Sequence, residues 1–165
     1  MRRAAAARLS CPVLTVGVDL AAEPTDTAVA VVHWSASKAR LREVVRPGTD
    51  DTVIAAIRSA DKAGIDCPLG WPDAFVSFVG AHQRGTALSE DEPGDKAWRR
   101  SLAWRHTDEV VRDATAIVPL SVAADRIGHT AMRCAVLQAR LANLGDPVDR
   151  SGAGRVVEVS TRRPP

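Results

Sequence analysis

Three short apolar runs, separated by only a few polar positions, open the regular part of the chain. The first, residues 13–18, is almost continuously apolar and ends at Asp19. The second, residues 27–34, is rich in β-branched residues, and the third, residues 39–46, alternates between apolar and charged positions. Short connections between such runs are typical of an antiparallel meander. Because the first run has apolar residues on both faces, we expect a central strand that is covered on both sides.

A helix and a fourth strand are predicted directly after this meander. Pro47 and Gly48 end the third strand, and Thr49, Asp50 and Asp51 are suited to cap a helix. The apolar face of that helix consists of residues that recur at helical spacing: Val53, Ile54, Ile57 and Ala60. The apolar run 63–67 then predicts a strand. Because a helix separates this strand from the first three, it has to run parallel to one of them.

The second half of the chain is predicted to be mostly helical. Residues 74–79 fit either a short helix or a packed loop, and residues 83–95 indicate a mobile loop. Thr107 is a candidate N-cap for the next helix, and the longest helical pattern covers residues 121–144. Its apolar stripe contains Ile127, Ala131, Cys134, Leu137, Leu141 and Leu144. Residues 155–159 predict a last strand.

Composition places the chain among soluble globular proteins with one domain. It has 165 residues, of which 45% are hydrophobic and 25% charged. The net charge of +2 is too small to indicate nucleic-acid binding by itself. The cysteines, Cys11, Cys67 and Cys134, are odd in number and lack C-x-x-C spacing, which argues against a disulfide framework and favours the cytoplasm. No apolar run approaches the roughly 18 residues of a membrane span, and residues 1–10 lack the apolar core of a secretory signal.

Two aspartates end buried strands and are the first candidates for chemistry. Asp19 ends the first strand, and Asp66 follows Ile65 just before a loop broken by prolines and Gly70. A lone aspartate before a turn often bonds only its own backbone. If the two strands are neighbours, however, the aspartates emerge about 4.8 Å apart. Two carboxylates at such a short distance repel each other, so they need a shared proton or a cation. Mg²⁺ or Mn²⁺ is the natural cation for oxygen ligands.

Cations and tryptophans interleave between residues 96 and 105. Trp98 and Arg99 belong to this segment and could grip single-stranded nucleic acid by stacking and charge. The alternative is an amphipathic segment with buried tryptophans and solvated cations, and we favour it because aromatic side chains often serve packing. Asp108 lies in the first turn of the following helix, where the helix dipole alone would explain it. Asp125 is a further acidic candidate near the start of the longest helix.

Four motifs, taken in this order, resemble those of a family of predicted nucleases catalogued as domain of unknown function 429. They are Gly17-Val18-Asp19-Leu20-Ala21, Ile65-Asp66-Cys67-Pro68-Leu69-Gly70, Arg105-His106-Thr107-Asp108 and Val157-Glu158-Val159. The resemblance covers about residues 13–159. It implies an α/β fold with a ribonuclease-H-like mixed sheet, in which three antiparallel strands are followed by parallel strands and helices lie on the faces. It also implies a metal-dependent nuclease that acts on RNA or DNA.

The resemblance also implies roles for individual residues. Asp19 and Asp66 match the acids that end the first and fourth strands, and they would be catalytic metal ligands for Mg²⁺ or Mn²⁺. Asp108 and Glu158 match further acidic positions and are secondary catalytic candidates. Arg105 would pair with a phosphate or a carboxylate. Together with Arg105, the candidates for nucleic-acid binding are Arg99 and Trp98.

The same comparison predicts the domain limits and one departure from the family. We expect disordered tails at 1–12 and 160–165, and a domain at 13–159 with a helical or loop insertion at about 73–117. Members usually continue after the glutamate strand with a Tyr-Pro turn and further helices, whereas here Val159 is followed by only six residues. We therefore expect a truncated or frame-altered member, with impaired activity and an uncovered, apolar sheet face.

Two other functions stay open. Gly17-Val18-Asp19 before a hairpin also resembles the phosphate-binding hairpin of actin-like ATPases, and Ser151-Gly152-Ala153-Gly154 is a candidate second phosphate loop. The chain could thus be an actin-like nucleotide-binding or phosphotransfer protein, or else a non-catalytic binding module. The histidines show no zinc spacing, and there is no nucleophile elbow, Walker loop or Rossmann fingerprint.

Overall fold

Five strands form one mixed sheet in the computed structural model, which describes residues 12–36, 38–86 and 94–160. The strands are β1 (Val13–Asp19), β2 (Ala28–Trp34), β3 (Ala39–Val45), β4 (Lys62–Ile65) and β5 (Val156–Glu158). Their order is β3-β2-β1-β4-β5. The pairs β1–β2 and β2–β3 are antiparallel, whereas β1–β4 and β4–β5 are parallel. The predicted meander, the crossover and the central position of β1 are confirmed.

Five α-helices accompany the sheet in the described part of the chain. They are α1 (Asp50–Ser59), α2 (Asp73–Gln83), α3 (Lys96–Ala103), α4 (His106–Thr115) and α5 (Gly128–Asn143). Of the three capping candidates, Thr49 caps α1, because its hydroxyl accepts a hydrogen bond from the Thr52 backbone N–H at 3.2 Å. The segment that could be a helix or a packed loop is the helix α2. The region 73–117 that we expected as an insertion contains α2, α3 and α4. The expected tails lie almost entirely outside the described residues, as do residues 87–93 of the expected loop.

Two helices begin at other residues than predicted. The N-cap of α4 is Arg105 and not Thr107, because the Asp108 carboxylate accepts a hydrogen bond from the Arg105 backbone N–H at 2.9 Å and closes a capping box there. The helix α5 begins at Gly128 and not near Ser121. Ser121 and Asp125 form a tight local turn instead, in which the Asp125 carboxylate accepts from the Ser121 N–H at 2.7 Å. Leu144, expected in the apolar stripe of α5, lies beyond its end and is 48% exposed.

The two faces of the sheet differ sharply. On one face, alternate residues of the inner strands are buried against α1 and α5 in one hydrophobic core. They are Val16 and Val18 on β1 and Ala63 and Ile65 on β4. That core includes most of the predicted helix stripes, namely Val53, Ile54, Ile57, Ala60, Ala131, Cys134, Leu137 and Leu141. Burial on this scale is the main stabilising contribution to the fold.

The described residues leave the opposite face open. A Cβ atom at Gly17 would meet no described atom within 4 Å, and Trp34, Leu41 and Val44 are 40%, 60% and 58% exposed. The expectation that β1 is covered on both sides was therefore wrong for the described part of the chain. The physical reason is visible in β1 itself, where the residues on the open face are Val13, Thr15, Gly17 and Asp19, and only the first of these is a large apolar residue.

Candidate functional site

The carboxyl ends of β1, β4 and β5 meet at a cavity of about 460 Å³. Asp19 ends β1, Asp66 follows β4, and Glu158 ends β5; all three line the cavity together with Asp108. The Asp66 backbone N–H donates to the Val18 carbonyl at 2.8 Å, which continues the parallel pairing one residue past Ile65. Asp19 and Asp66 therefore directly follow paired positions on neighbouring strands, as the sequence predicted.

Part of the lining of this cavity is apolar. It comes from α4, from the segment after it and from the start of α5, and includes Val111, Ile117, Pro119, Leu120 and Ile127. A ligand that enters this cavity would therefore meet both carboxylates and apolar side chains.

Arg105 binds two of the four acids. Its guanidinium donates to Glu158 Oε2 and Oε1, each at 2.7 Å. The same guanidinium donates to Asp108 Oδ2 at 3.0 Å and Oδ1 at 2.7 Å. Asp108 is buried and Arg105 is partly exposed, with side chains 4% and 13% exposed. Bidentate pairing of this kind fixes both distance and orientation.

The charge on Arg105 is secured by its two partners. Burial alone would lower the pKa of its guanidinium, but the hydrogen bonds with Glu158 and Asp108 more than offset that effect and raise the pKa above its ordinary value. Glu158 Oε2 also accepts from the Leu69 backbone N–H at 3.0 Å. The ion cluster thus connects β5, the start of α4 and the loop after β4, and its carboxylates are engaged in holding these elements together.

Asp19 and Asp66 are placed differently. Asp19 is exposed and forms no ion pair with any residue that the structure describes, whereas Asp66 is half-buried. In residues 12–36, 38–86 and 94–160, no three His, Cys, Asp or Glu side chains are grouped so that they could hold a metal ion. The pair can still suit Mg²⁺, because this ion usually keeps several waters and binds one or two carboxylates plus substrate phosphates.

A buried arginine of α5 shapes the loop that follows Asp19. Arg133 donates to the Ala21 carbonyl at 2.9 Å and to the Thr27 hydroxyl at 2.7 Å. It also donates to the Gly48 carbonyl at 3.0 Å and to Asp50 at 2.8 Å. One cation therefore holds the β1–β2 loop, the turn before α1 and the start of α1. The sequence pattern did not single out this residue.

Trp98 and Arg99 do not line the carboxylate cavity. Trp98 packs edge-to-face on Phe78, with ring centroids 5.5 Å apart, which agrees with the packing role favoured from the sequence. Arg99 donates to the Gly94 carbonyl. The tryptophans near the site are Trp71 and Trp104, which line a second cavity of about 340 Å³. The sequence could have indicated these two tryptophans, because Trp71 stands in the loop after Asp66 and Trp104 directly precedes the Arg105 motif.

The two buried cysteines lie close to the site and belong to the hydrophobic core. Cys67 and Cys134 are 3% and 0% exposed. The hydrogen bond with Cys134 and burial together raise the pKa of the Cys67 thiol far above its ordinary value. Gln138 donates to both Cys134 Sγ and the Leu69 carbonyl, and so ties α5 to the loop after Asp66. The predicted core role of Cys134 is confirmed.

The loop considered as a second phosphate site lies at the other end of the sheet. Residues 151–154 precede β5, whereas Asp19 and Asp66 lie at the carboxyl ends of β1 and β4. Lys62, at the start of β4, donates to the carbonyls of Gly152 and Gly154 at 2.6 and 2.5 Å. Asp125, the further acidic candidate, lines neither cavity.

Comparison with known proteins yields one match. A family model described as "Protein of unknown function (DUF429)" matches residues 17–160, a range that contains all four sequence motifs. Neither the curated proteins nor the solved structures include a match to the chain. Among the helices that the structure describes, none has both the length and the apolar character needed to cross a membrane.

Proposed function

The chain belongs to DUF429, a family of unknown function, and we propose that it is a metal-dependent nuclease with a ribonuclease-H-like sheet. The observation that carries the proposal is the placement of Asp19 and Asp66, which directly follow paired positions on neighbouring parallel strands and line one cavity. The strand sequence, three antiparallel strands followed by a parallel one beside β1, supports the fold part of the proposal. Sites of α/β sheets commonly lie at such carboxyl ends.

The charge of the cavity supports a requirement for a cation. A phosphodiester is anionic, and two adjacent carboxylates would repel it. Asp19 and Asp66 would hold Mg²⁺ or Mn²⁺. When bound, such an ion supplies charge stabilisation to the phosphodiester oxygens. Arg105 is a positioning residue, because it holds Glu158 and Asp108, which line the same cavity as Asp66.

An actin-like phosphotransfer function has less support. That function needs two phosphate loops that face one nucleotide, but residues 151–154 lie at the amino ends of β4 and β5 and are bonded to Lys62. The third possibility, a non-catalytic binding module, would be favoured if the protein cleaves no nucleic acid.

The test is cleavage of single-stranded, duplex and branched DNA and RNA with Mn²⁺. Wild type, Asp19→Asn, Asp66→Asn and the control Asp26→Asn are purified identically; Asp26 has a 67% exposed side chain and lines neither cavity. We expect wild type and the control to cleave equally, and each of the other variants to lose at least about 100-fold, since even outer-shell changes cost roughly 10- to 100-fold. Equal cleavage by all four proteins would reveal a contaminating nuclease, and cleavage by none would favour a binding module.

A further inference from the structure

A second cavity adjoins the carboxylate cavity and shares three of its lining residues. Arg105, Thr107 and Glu158 line both, so the ion cluster forms the partition between them. The second cavity has a volume of about 340 Å³, which lies within the range of small-ligand sites, about 300–1,000 Å³. A chain-like ligand that reaches Asp19 and Asp66 could therefore extend over the partition into this neighbouring space.

Flat groups and cations dominate the chemistry of the second cavity. Trp71 and Trp104 line it, and the guanidinium carbons of Arg100 and Arg112 lie 4.0 and 5.0 Å from the centroid of the Trp104 ring. Arg150 also lines the cavity. Indole rings and guanidinium planes are the surfaces on which unpaired nucleobases stack.

Two of these cations are available for phosphates. Arg100 and Arg150 are exposed, and neither forms an ion pair with another residue in the described part of the chain. The side-chain partner of Arg150 is the neutral Gln138 amide oxygen, at 3.3 Å. By contrast, Arg112 pairs with Asp113, and Arg105 pairs with Asp108 and Glu158. Arg150, which has no ion pair in the described part of the chain, therefore lines the second cavity together with the carboxylate of Asp73.

We infer that the second cavity binds a nucleotide of a single-stranded nucleic acid, next to the phosphodiester that reaches Asp19 and Asp66. The position of that phosphodiester rests on the proposed function, whereas the binding itself does not. Trp71 contacts the base, and Arg150 and Arg100 contact phosphates. The strand has to be single, because the faces of bases in a duplex are already stacked and only its phosphates would be offered to the cations.

The experiment measures binding without cleavage, by fluorescence anisotropy in EDTA. The probes are a short labelled oligothymidylate, an abasic strand of equal length and a hairpin duplex. The proteins are wild type, Arg100→Gln, Arg150→Gln and, as a matched control, Arg42→Gln, an exposed arginine on β3 at the far edge of the sheet. Because all three arginines are exposed, the variants should fold, and thermal melting checks that they do.

We expect the oligothymidylate to bind at least roughly 5-fold more tightly than the abasic strand, since stacking strengthens the binding of each base. Arg100→Gln and Arg150→Gln should each weaken binding by roughly 3- to 10-fold and lower the salt dependence by about 0.7. The Arg42→Gln control should bind like wild type. Equal binding of the abasic strand or the duplex, an equal loss in the control, or no binding at all would overturn the inference. Binding as expected without any Mn²⁺-dependent cleavage would reject only the proposed nuclease.

Discussion

Two pairs of carboxylates line one cavity, and they are held in different ways. Asp108 and Glu158 share the guanidinium of Arg105, with all four contacts between 2.7 and 3.0 Å. Asp19 and Asp66 instead extend two neighbouring strands, and Asp19 is exposed. The number of acids in a cavity therefore does not by itself indicate how many can bind a cation. The first pair belongs to the architecture of the cavity, and the second is the pair that we assign to its chemistry.

The largest effect on stability is expected from removing the shared cation. Arg105→Ala would leave Asp108, which is 4% exposed, and Glu158 as neighbouring charges without their arginine. We expect a loss of about 3–5 kcal/mol in the free energy of unfolding, measured by urea denaturation. Arg46→Ala is the control, because Arg46 and Asp26 are 63% and 67% exposed, and it should lose less than about 1 kcal/mol. Equal losses in the two variants would show that the buried cluster contributes nothing special.

Metal binding should distinguish the two pairs next. We expect Mn²⁺ to stabilise the wild type by about 2.7 kcal/mol when its concentration is 100 times the dissociation constant. Asp19→Asn should abolish this shift in the melting temperature, whereas Asp108→Asn should keep it. A shift that survives Asp19→Asn would show that the cation binds elsewhere. A shift that disappears in Asp108→Asn would show that the cation needs the pair Asp108 and Glu158.

A smaller difference is expected between single aspartates without metal. Asp108→Asn weakens the capping box of α4 and removes one partner of Arg105, so we expect a loss of about 1–2 kcal/mol by chemical denaturation. Asp19→Asn changes an exposed residue and should alter stability by less than about 0.5 kcal/mol. Cleavage should follow the reverse order, with the greater loss in Asp19→Asn. If Asp108→Asn caused the greater loss of both stability and cleavage, the two pairs would not differ in role as we propose.

The smallest effect is expected from alkaline pH. The folded-state pKa of Arg105 is raised above its ordinary value, so its contribution is fully present below the ordinary value and is lost only as pH rises through the raised pKa. The stability difference between wild type and Arg105→Ala should therefore be the same at about pH 7 and about pH 10. Paired urea titrations at the two pH values check this, and a penalty that shrinks at pH 10 would show that the guanidinium loses its proton earlier.

The sequence predicted the strand ends better than it predicted their partners. Asp19 and Asp66 could be found because each ends an apolar run and a helix between those runs requires a crossover. The pairing of Arg105 with Glu158 joins residues 53 positions apart, and no local pattern shows that one guanidinium takes up two carboxylates. Thr107 is a good cap by residue type, yet Asp108 closes its capping box with the backbone of Arg105, so the cap moves two positions back.

The local sequence pattern also failed to predict which faces of the sheet are covered. The apolar run of β1 resembled a strand buried on both sides, but the described residues cover only the face that carries Val16 and Val18. The second cavity combines Trp71, Trp104 and Arg150 from three separate segments. The tryptophans stand close to recognisable motifs, whereas Arg150 lies in a polar loop whose position depends on how β5 pairs with β4.

The bare backbone at Gly17 makes β1 a place to attach a reporter. Its missing side chain faces open space and lies on the same face as Asp19, two residues or about 7 Å along the strand. Cys67 and Cys134 are buried, so a Gly17→Cys chain that also carries Cys11→Ser would offer one accessible thiol among the described residues. A nitroxide attached there would lie close enough to sense the unpaired electrons of an Mn²⁺ ion bound at Asp19. Its resonance line would then report Mn²⁺ occupancy directly, in a protein that need not turn over any substrate.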